Sequence, residues 1–165
     1  MPEDLQRLEI RKVNISDSDA IWGILSEVVN EGGAISSDES VSKEQALRTW
    51  ISEDTYVAYL DGEMAGAYRI FPIQIGRGSH IACAAHMVSP KYRGRGIGFA
   101  LGEHSLKIAK EKGYIAMQFN CVVSTNKPAV ELWKKLGFSI LGMIPQGFRH
   151  KDFGFVDTYI MYRPL

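Results

Sequence analysis

Between an apolar run that ends at Val88 and an amphipathic stretch that begins at Ile97, the chain reads Ser89-Pro90-Lys91-Tyr92-Arg93-Gly94-Arg95-Gly96-Ile97-Gly98. Glycines at 94, 96 and 98 remove Cβ atoms, so backbone N–H groups converge on a phosphate while the following helix presents its positive end. Lys91, Arg93 and Arg95 add mobile positive charge, and residues 91 to 112 hold six basic and two acidic side chains. A pyrophosphate suits such a turn. On the turn alone, a flexible loop solvated by its own charges stays open as a second reading. A dinucleotide fold requires a βαβ unit with an acidic residue near the end of its second strand, where Asn120 stands instead. A P-loop requires Gly-Lys-Ser or Gly-Lys-Thr, which is absent.

Hydrophobic spacing places the other elements around this turn. Leu5 to Val13 predicts a first strand, and Asp17 an N-cap for a helix through Ile21, Ile24, Leu25 and Val28. Asn30 to Ser42 is polar, holds Gly32-Gly33 and predicts a loop. Ser42 then caps a helix with Ala46, Leu47 and Trp50. Asp61-Gly62 predicts a tight turn between strands Tyr56 to Leu60 and Glu63 to Phe71. A second hairpin through Gly76-Arg77-Gly78 leads to Ile81 to Val88, which Pro90 ends. Helix Ile97 to Lys112, buried strand Tyr114 to Val123 and helix Asn126 to Leu136 follow, with Gly113 and Gly137 as stops. Phe138 to Met143 and Phe155 to Tyr162 predict two last strands, joined by a loop with Pro145, Gly147 and Gly154. The order is an α/β arrangement on one mixed sheet, without the strict alternation of a doubly wound fold.

With 165 residues and 45% hydrophobic content, one domain is expected. Cys83 and Cys121 lie apart in apolar segments without metal-ligand spacing, which predicts buried free thiols and no metal. Met1 to Ile10 lacks the basic start and apolar run of a leader, and no run reaches membrane-spanning length; a cytoplasmic protein with no membrane partner is expected. Zero formal net charge argues against a nucleic-acid partner. Residues 1 to 63 carry 14 acidic and 5 basic side chains, and residues 64 to 165 carry 5 acidic and 14 basic. Solvated helix faces explain this, as does a cationic ligand near the first half with an anionic one on the second.

A second motif follows at Asn126-Lys127-Pro128-Ala129-Val130-Glu131-Leu132-Trp133-Lys134-Lys135-Leu136-Gly137-Phe138. The pair resembles the GCN5-related N-acetyltransferase superfamily, whose phosphate loop reads Arg/Gln-x-x-Gly-x-Gly/Ala and whose later segment reads Asn-x-x-Ala-x-x-x-Tyr-x-x-x-Gly-Phe. The resemblance covers the whole element order, although residues 1 to 85 match only in pattern. It implies a single mixed, mostly antiparallel sheet, flanked by helices and splayed between strands ending near Val88 and Val123. Acetyl-CoA is the implied co-substrate. The backbone of His86, Met87 and Val88 would pair with pantetheine and the acetyl carbonyl, and Arg93, Gly94, Arg95, Gly96, Ile97 and Gly98 would hold the pyrophosphate. Asn126 would bond the cofactor or cap its helix, and Trp133 would pack on the pantetheine arm or in the core.

The implied chemistry is attack by an amine on a thioester, its oxyanion held by backbone N–H groups. The amine must lose a proton and the leaving thiolate gain one. Trp133 stands where relatives commonly carry a tyrosine acid, and Ala82 where some carry a glutamate base. Replacement candidates are His86, Tyr159, Asp157 and Cys121, or water. Asn120, in an otherwise apolar strand, is read as a substrate-orienting residue. Acceptor specificity is assigned to the loops Asn30 to Ser42 and Pro145 to Gly154, where Glu31, Asp38 and Glu39 suit an ammonium and Arg149, His150 and Lys151 a carboxylate. The expected partner is a small-molecule amine, an amino acid or analogue. A protein substrate, a non-catalytic CoA-binding module and a homodimer through the last strands remain open.

Overall fold

The computed structural model describes residues 3–165. The stretch Met1 to Ile10, read above for a leader, therefore begins outside the described residues. Helix α1 (Glu3–Gln6) precedes strand β1 (Leu8–Lys12). The expected first strand is thus shorter at its start: Leu5 belongs to a helical turn, and its side chain packs on the core beside Gly96.

Helix α2 (Ser18–Glu31) begins after a 3-10 turn capped by Asn14. Asp17 occupies the N-cap position without making the expected cap bond. Its carboxylate instead accepts from both terminal nitrogens of Arg11 (2.9 Å each), from Tyr59 Oη (2.6 Å) and from Asn14 N–H (2.7 Å). Helix α3 (Lys43–Trp50) starts at the expected Ser42, which forms a reciprocal capping box with Gln45.

Strands β2 (Thr55–Leu60), β3 (Glu63–Pro72) and β4 (Ile81–Val88) form an antiparallel meander. Its first turn takes φ of +52° at Asp61 and +83° at Gly62, the positive angles that this dipeptide tolerates. Helix α4 (Ile97–Glu111), strand β5 (Ala116–Val123) and helix α5 (Lys127–Lys135) follow. Strands β6 (Ser139–His150) and β7 (Gly154–Pro164) close the chain.

The seven strands lie in the order β1-β2-β3-β4-β5-β7-β6, and only β4 and β5 run parallel. Ile21, Ile24, Leu25 and Val28 of α2 and Trp50 of α3 pack with Val57, Ala67 and Met87 on one face. On the other face Ile97, Leu101 and Ala109 of α4 and Val130 of α5 pack with Tyr68, Met117, Phe119 and Met161. No helix among the described residues is long and apolar enough to cross a membrane.

The joint between the last strands departs from expectation. Residues 145 to 150 belong to β6, and only Lys151 to Phe153 form the turn. Gln146 (φ +54°) and Gly147 sit in a bulge between Ile144 and Phe148, where Gln146 N–H donates to Asp157 Oδ1 at 3.0 Å. Pro145 and Gly147 signal a loop in the sequence because they break regular pairing. A bulge accommodates both without ending the strand.

Candidate active site

Strands β4 and β5 pair at Ile81 with Ala116 and at Ala82 with Met117, and nowhere beyond. From there to Val88 and Val123 the two edges face each other unpaired, an opening at the middle of the sheet. Ladder parity shows which groups line it. Ile73 N–H donates to Ile81 O and Ser89 N–H to Ala65 O, both at 2.9 Å and in one unbroken register. Odd-numbered residues of β4 therefore bond β3, and the peptide groups of Ala84, His86 and Val88 turn toward β5. Met87, expected to bring its backbone to pantetheine, has its peptide groups directed at Ala67 instead.

On the facing edge, Phe119 pairs with Met161 and Val122 with Tyr159, so two residues of β5 oppose one of β7. Phe119 and Val122 both belong to the core cluster beneath α4 and α5. Asn120 and Cys121 make up the intervening bulge. Cys121 is consequently exposed, against the expectation of a buried thiol, while Cys83 is partly buried. Met117 and Phe119 point to the α4 and α5 face, so Gln118 and Asn120 point to the other, where Asn120 Oδ1 accepts from Gln118 Nε2 at 2.8 Å.

At the open end of β4, Pro90 to Tyr92 form a 3-10 turn that delivers the chain to Arg93. Gly94 and Gly96 adopt φ of +74° and +83°, left-handed angles that a β-carbon disfavours. A Cβ at Gly94 would meet no atom within 4 Å, so the turn is open above it. Gly96 is the N-cap of α4 and makes no side-chain cap bond. The first N–H groups of a 15-residue helix thus remain available to an anion. The unpaired β4 peptides and this cradle together fit a pantetheine and a pyrophosphate.

The basic side chains of the turn are engaged. Arg93 makes a two-pronged contact with Glu31 (3.0 and 2.8 Å), the last residue of α2. Lys91 and Tyr92 Oη both bind Glu63, the latter at 2.7 Å, and Arg95 lies 5.2 Å from the centroid of the Tyr92 ring. The charge asymmetry between the two halves of the chain is partly used internally: Arg93–Glu31, Lys91–Glu63 and Lys112–Asp54 each join a basic late residue to an acidic early one. The sequence carried the asymmetry and not the partners.

The candidates for proton transfer are scattered. The His86 ring points to the α4 and α5 face, 4.8 Å from Trp133 and 5.4 Å from Tyr68. Ser105 Oγ donates to Gly102 O at 2.8 Å, so His86 Nε2 donates to Ser105 Oγ at 3.0 Å and Nδ1 is left buried without a partner. Desolvation pushes its pKa down to about 3, which keeps the ring neutral. Its side chain is a packed core group on the face away from Asn120. Tyr159 packs against the same core and pairs with Val122, while Asp157 holds the β6 bulge. Partial desolvation of the sulfur raises the pKa of the Cys121 thiol, although the residue is exposed as a whole.

Trp133 contacts Phe119 (4.6 Å) and Phe138 (5.6 Å) as well as His86, forming an aromatic floor beneath the opening. Asn126 Oδ1 accepts from Ala129 N–H at 3.4 Å and so caps α5. The two segments read for acceptor specificity meet: Lys151 N–H donates to Gly32 O at 3.0 Å, and Lys151 Nζ to Asn30 O at 2.8 Å. Asp38 is held low in pKa by Ser40 and by the charge of Arg149. Between α2 and residues 38–41 lies a pocket of about 180 Å³ lined by Trp22, Leu25, Val29, Asn30, Asp38 and Glu39. Among the described residues no His, Cys, Asp and Glu group could hold a metal ion. Arg69 of β3 stands on the same sheet face as Asn120, and its signal in the sequence is a charge in a strand otherwise apolar from Met64 to Ile70.

A solved GCN5-related N-acetyltransferase from Kribbella flavida is 36% identical and superposes with a TM-score of 0.93 over 98% of this chain and 99% of that one. The N-acetyltransferase aca1 of Schizosaccharomyces pombe is 39% identical over 98 residues, 59% of this chain and 47% of the yeast protein. The L-amino acid N-acetyltransferase AaaT of Escherichia coli is 29% identical over 107 residues, 65% of each chain. The chain thus spans about half of the first curated relative and just under two thirds of the second. The model of the acetyltransferase (GNAT) family matches residues 25–138, from the middle of α2 through both glycine-bearing motifs to the Gly137-Phe138 stop, and the chain belongs to that family.

Proposed function

We propose that the protein is an acetyl-CoA-dependent N-acetyltransferase that acetylates the amine of a small molecule, an amino acid or close analogue, by direct attack in a ternary complex. The observation that carries this reading is the opening between β4 and β5, where the peptides of Ala84, His86 and Val88 lack strand partners beside an uncapped helix N-terminus. Acetyl-CoA would supply an activated acyl thioester there. Residues 93 to 98 would hold its pyrophosphate, and the free N–H groups of β4 would receive the carbonyl oxygen as it gains charge. Trp133 would give the pantetheine arm an apolar floor. Asn120, on the opposite face, would orient the acceptor.

Neither β4 position read for proton transfer supplies a general base to the opening, since His86 faces the core and Ala82 is fully buried. Water reaching the exposed Asn120–Cys121 bulge would take the amine proton. The same absence favours, as a second reading, a CoA-binding module without turnover. Release of free thiol from acetyl-CoA with an amine panel decides between them. Acetyl-dependent thiol release with an amino acid supports the proposal, whereas acetyl-CoA binding with no turnover of any amine supports the module.

A further inference from the structure

Arg69 lies in β3 on the sheet face covered by α2 and α3, where Trp50 of α3 meets it. Directly across the ladder is Ala85, flanked by Ala84 and His86, two of the three β4 residues whose peptides face the opening, so Arg69 stands one strand spacing, about 5 Å, from the cleft wall. Its guanidinium is 4.3 Å from the centroid of the Phe71 ring and 5.9 Å from that of Trp50. Its Nε is buried without a hydrogen-bond partner, and among the described residues its side chain makes no hydrogen bond or ion pair. Arg7, Arg11, Arg48 and Arg93 each bind a carboxylate. Arg149 has Asp38 within electrostatic range.

A partly buried guanidinium flanked by rings and lacking an anion has lost hydration without recovering it in hydrogen bonds. Its planar fork matches a carboxylate in two-pronged geometry. Gln118 and Asn120 project from β5 on the same sheet face, across the opening. We infer that Arg69 binds the carboxylate of the acceptor and thereby sets its amine over the cleft beside Asn120. The inference rests on the amino-acid reading above and replaces Arg149 with Arg69 as the carboxylate partner.

The test compares initial rates with the twenty L-amino acids and with their carboxamides. Wild type is expected to prefer acids. Arg69→Gln should lower the acid-to-amide ratio of kcat/KM about 10- to 100-fold, through KM for the acid, with KM for acetyl-CoA unchanged. Arg69→Lys keeps the charge without the fork and should lower the ratio less; it serves alone if the glutamine variant does not fold. An unchanged ratio in the folded variant overturns the inference while leaving amino-acid acetylation standing. If wild type turns over no amino acid, the functional reading fails first, and titration of the N-acetyl-L-amino acids into CoA-saturated protein decides the carboxylate site separately. Binding that weakens at least about tenfold in the variant supports the site; equal binding, or none to wild type, overturns it.

Discussion

The His86 imidazole, held between the Tyr68 and Trp133 rings with Nδ1 unpartnered, imposes two pH dependences. The first concerns stability. Its folded pKa lies near 3, below the ordinary 6.5, so the unfolded chain takes up a proton that the native chain refuses. Stability therefore falls as pH drops below 6.5, by up to about 1.4 kcal/mol per unit from this group. Urea titrations between pH 7 and 5 should show that slope in wild type and a flatter one in His86→Gln; equal slopes would contradict the assignment. The second concerns turnover. With His86 neutral throughout and water taking the amine proton, kcat/KM should rise with pH up to the pKa of the acceptor amine without a break near 6.5. A break there that His86→Gln removes would make this ring catalytic after all. The residue itself was legible as unusual, a histidine in an apolar strand. Its direction was not, because the face it takes depends on register with β3, and the Ser105 partner comes from a helix 19 residues on.

At the scale of elements, turn and cap chemistry was the legible part. Asp61-Gly62, Ser42, Asn126 and Gly137 all stand where their local conformational preferences place them, since each acts within a few residues. Features that depend on pairing were hidden. The bulges at Asn120–Cys121 and at Gln146–Gly147 arise from two strands matching a third, and a single sequence does not print that register. Gly147 is required by its bulge: an added Cβ would run into the Thr158 side chain. Gly147→Val should lower stability by about 1–3 kcal/mol and raise KM for the acceptor, with KM for acetyl-CoA unchanged, because this bulge lies on the hairpin that docks at Gly32. Wild-type melting and kinetics would show that the bulge is neither strained nor near the acceptor. Trp133 shares its contacts with the α4–α5 seam, where Gly102 gives it room. Trp133→Phe keeps an aromatic floor and should reduce turnover only modestly with its pH profile intact; a large loss at unchanged cofactor affinity would assign a specific role to the indole N–H.

Across the whole molecule, β6 is the sheet's last strand, and Ile140, Leu141, Met143 and Ile144 are exposed along it. We propose that a second copy completes this unpaired apolar edge in antiparallel register. Light scattering should give about 37 kDa, twice the 18.4 kDa chain, and Leu141→Lys with Ile144→Lys should return the monomer. A wild-type monomer at all concentrations would refute the dimer. Calorimetric titration of acetyl-CoA into wild type and Gly94→Asp tests whether the β4–β5 opening and the Gly94–Gly96 turn hold acetyl-CoA. Aspartate tolerates left-handed φ better than most residues and its Cβ would meet no atom within 4 Å, so the fold should persist while its carboxylate opposes the pyrophosphate. Binding to wild type, weakened at least about tenfold in folded Gly94→Asp, is the expected result; equal affinity in the two proteins would place the cofactor elsewhere.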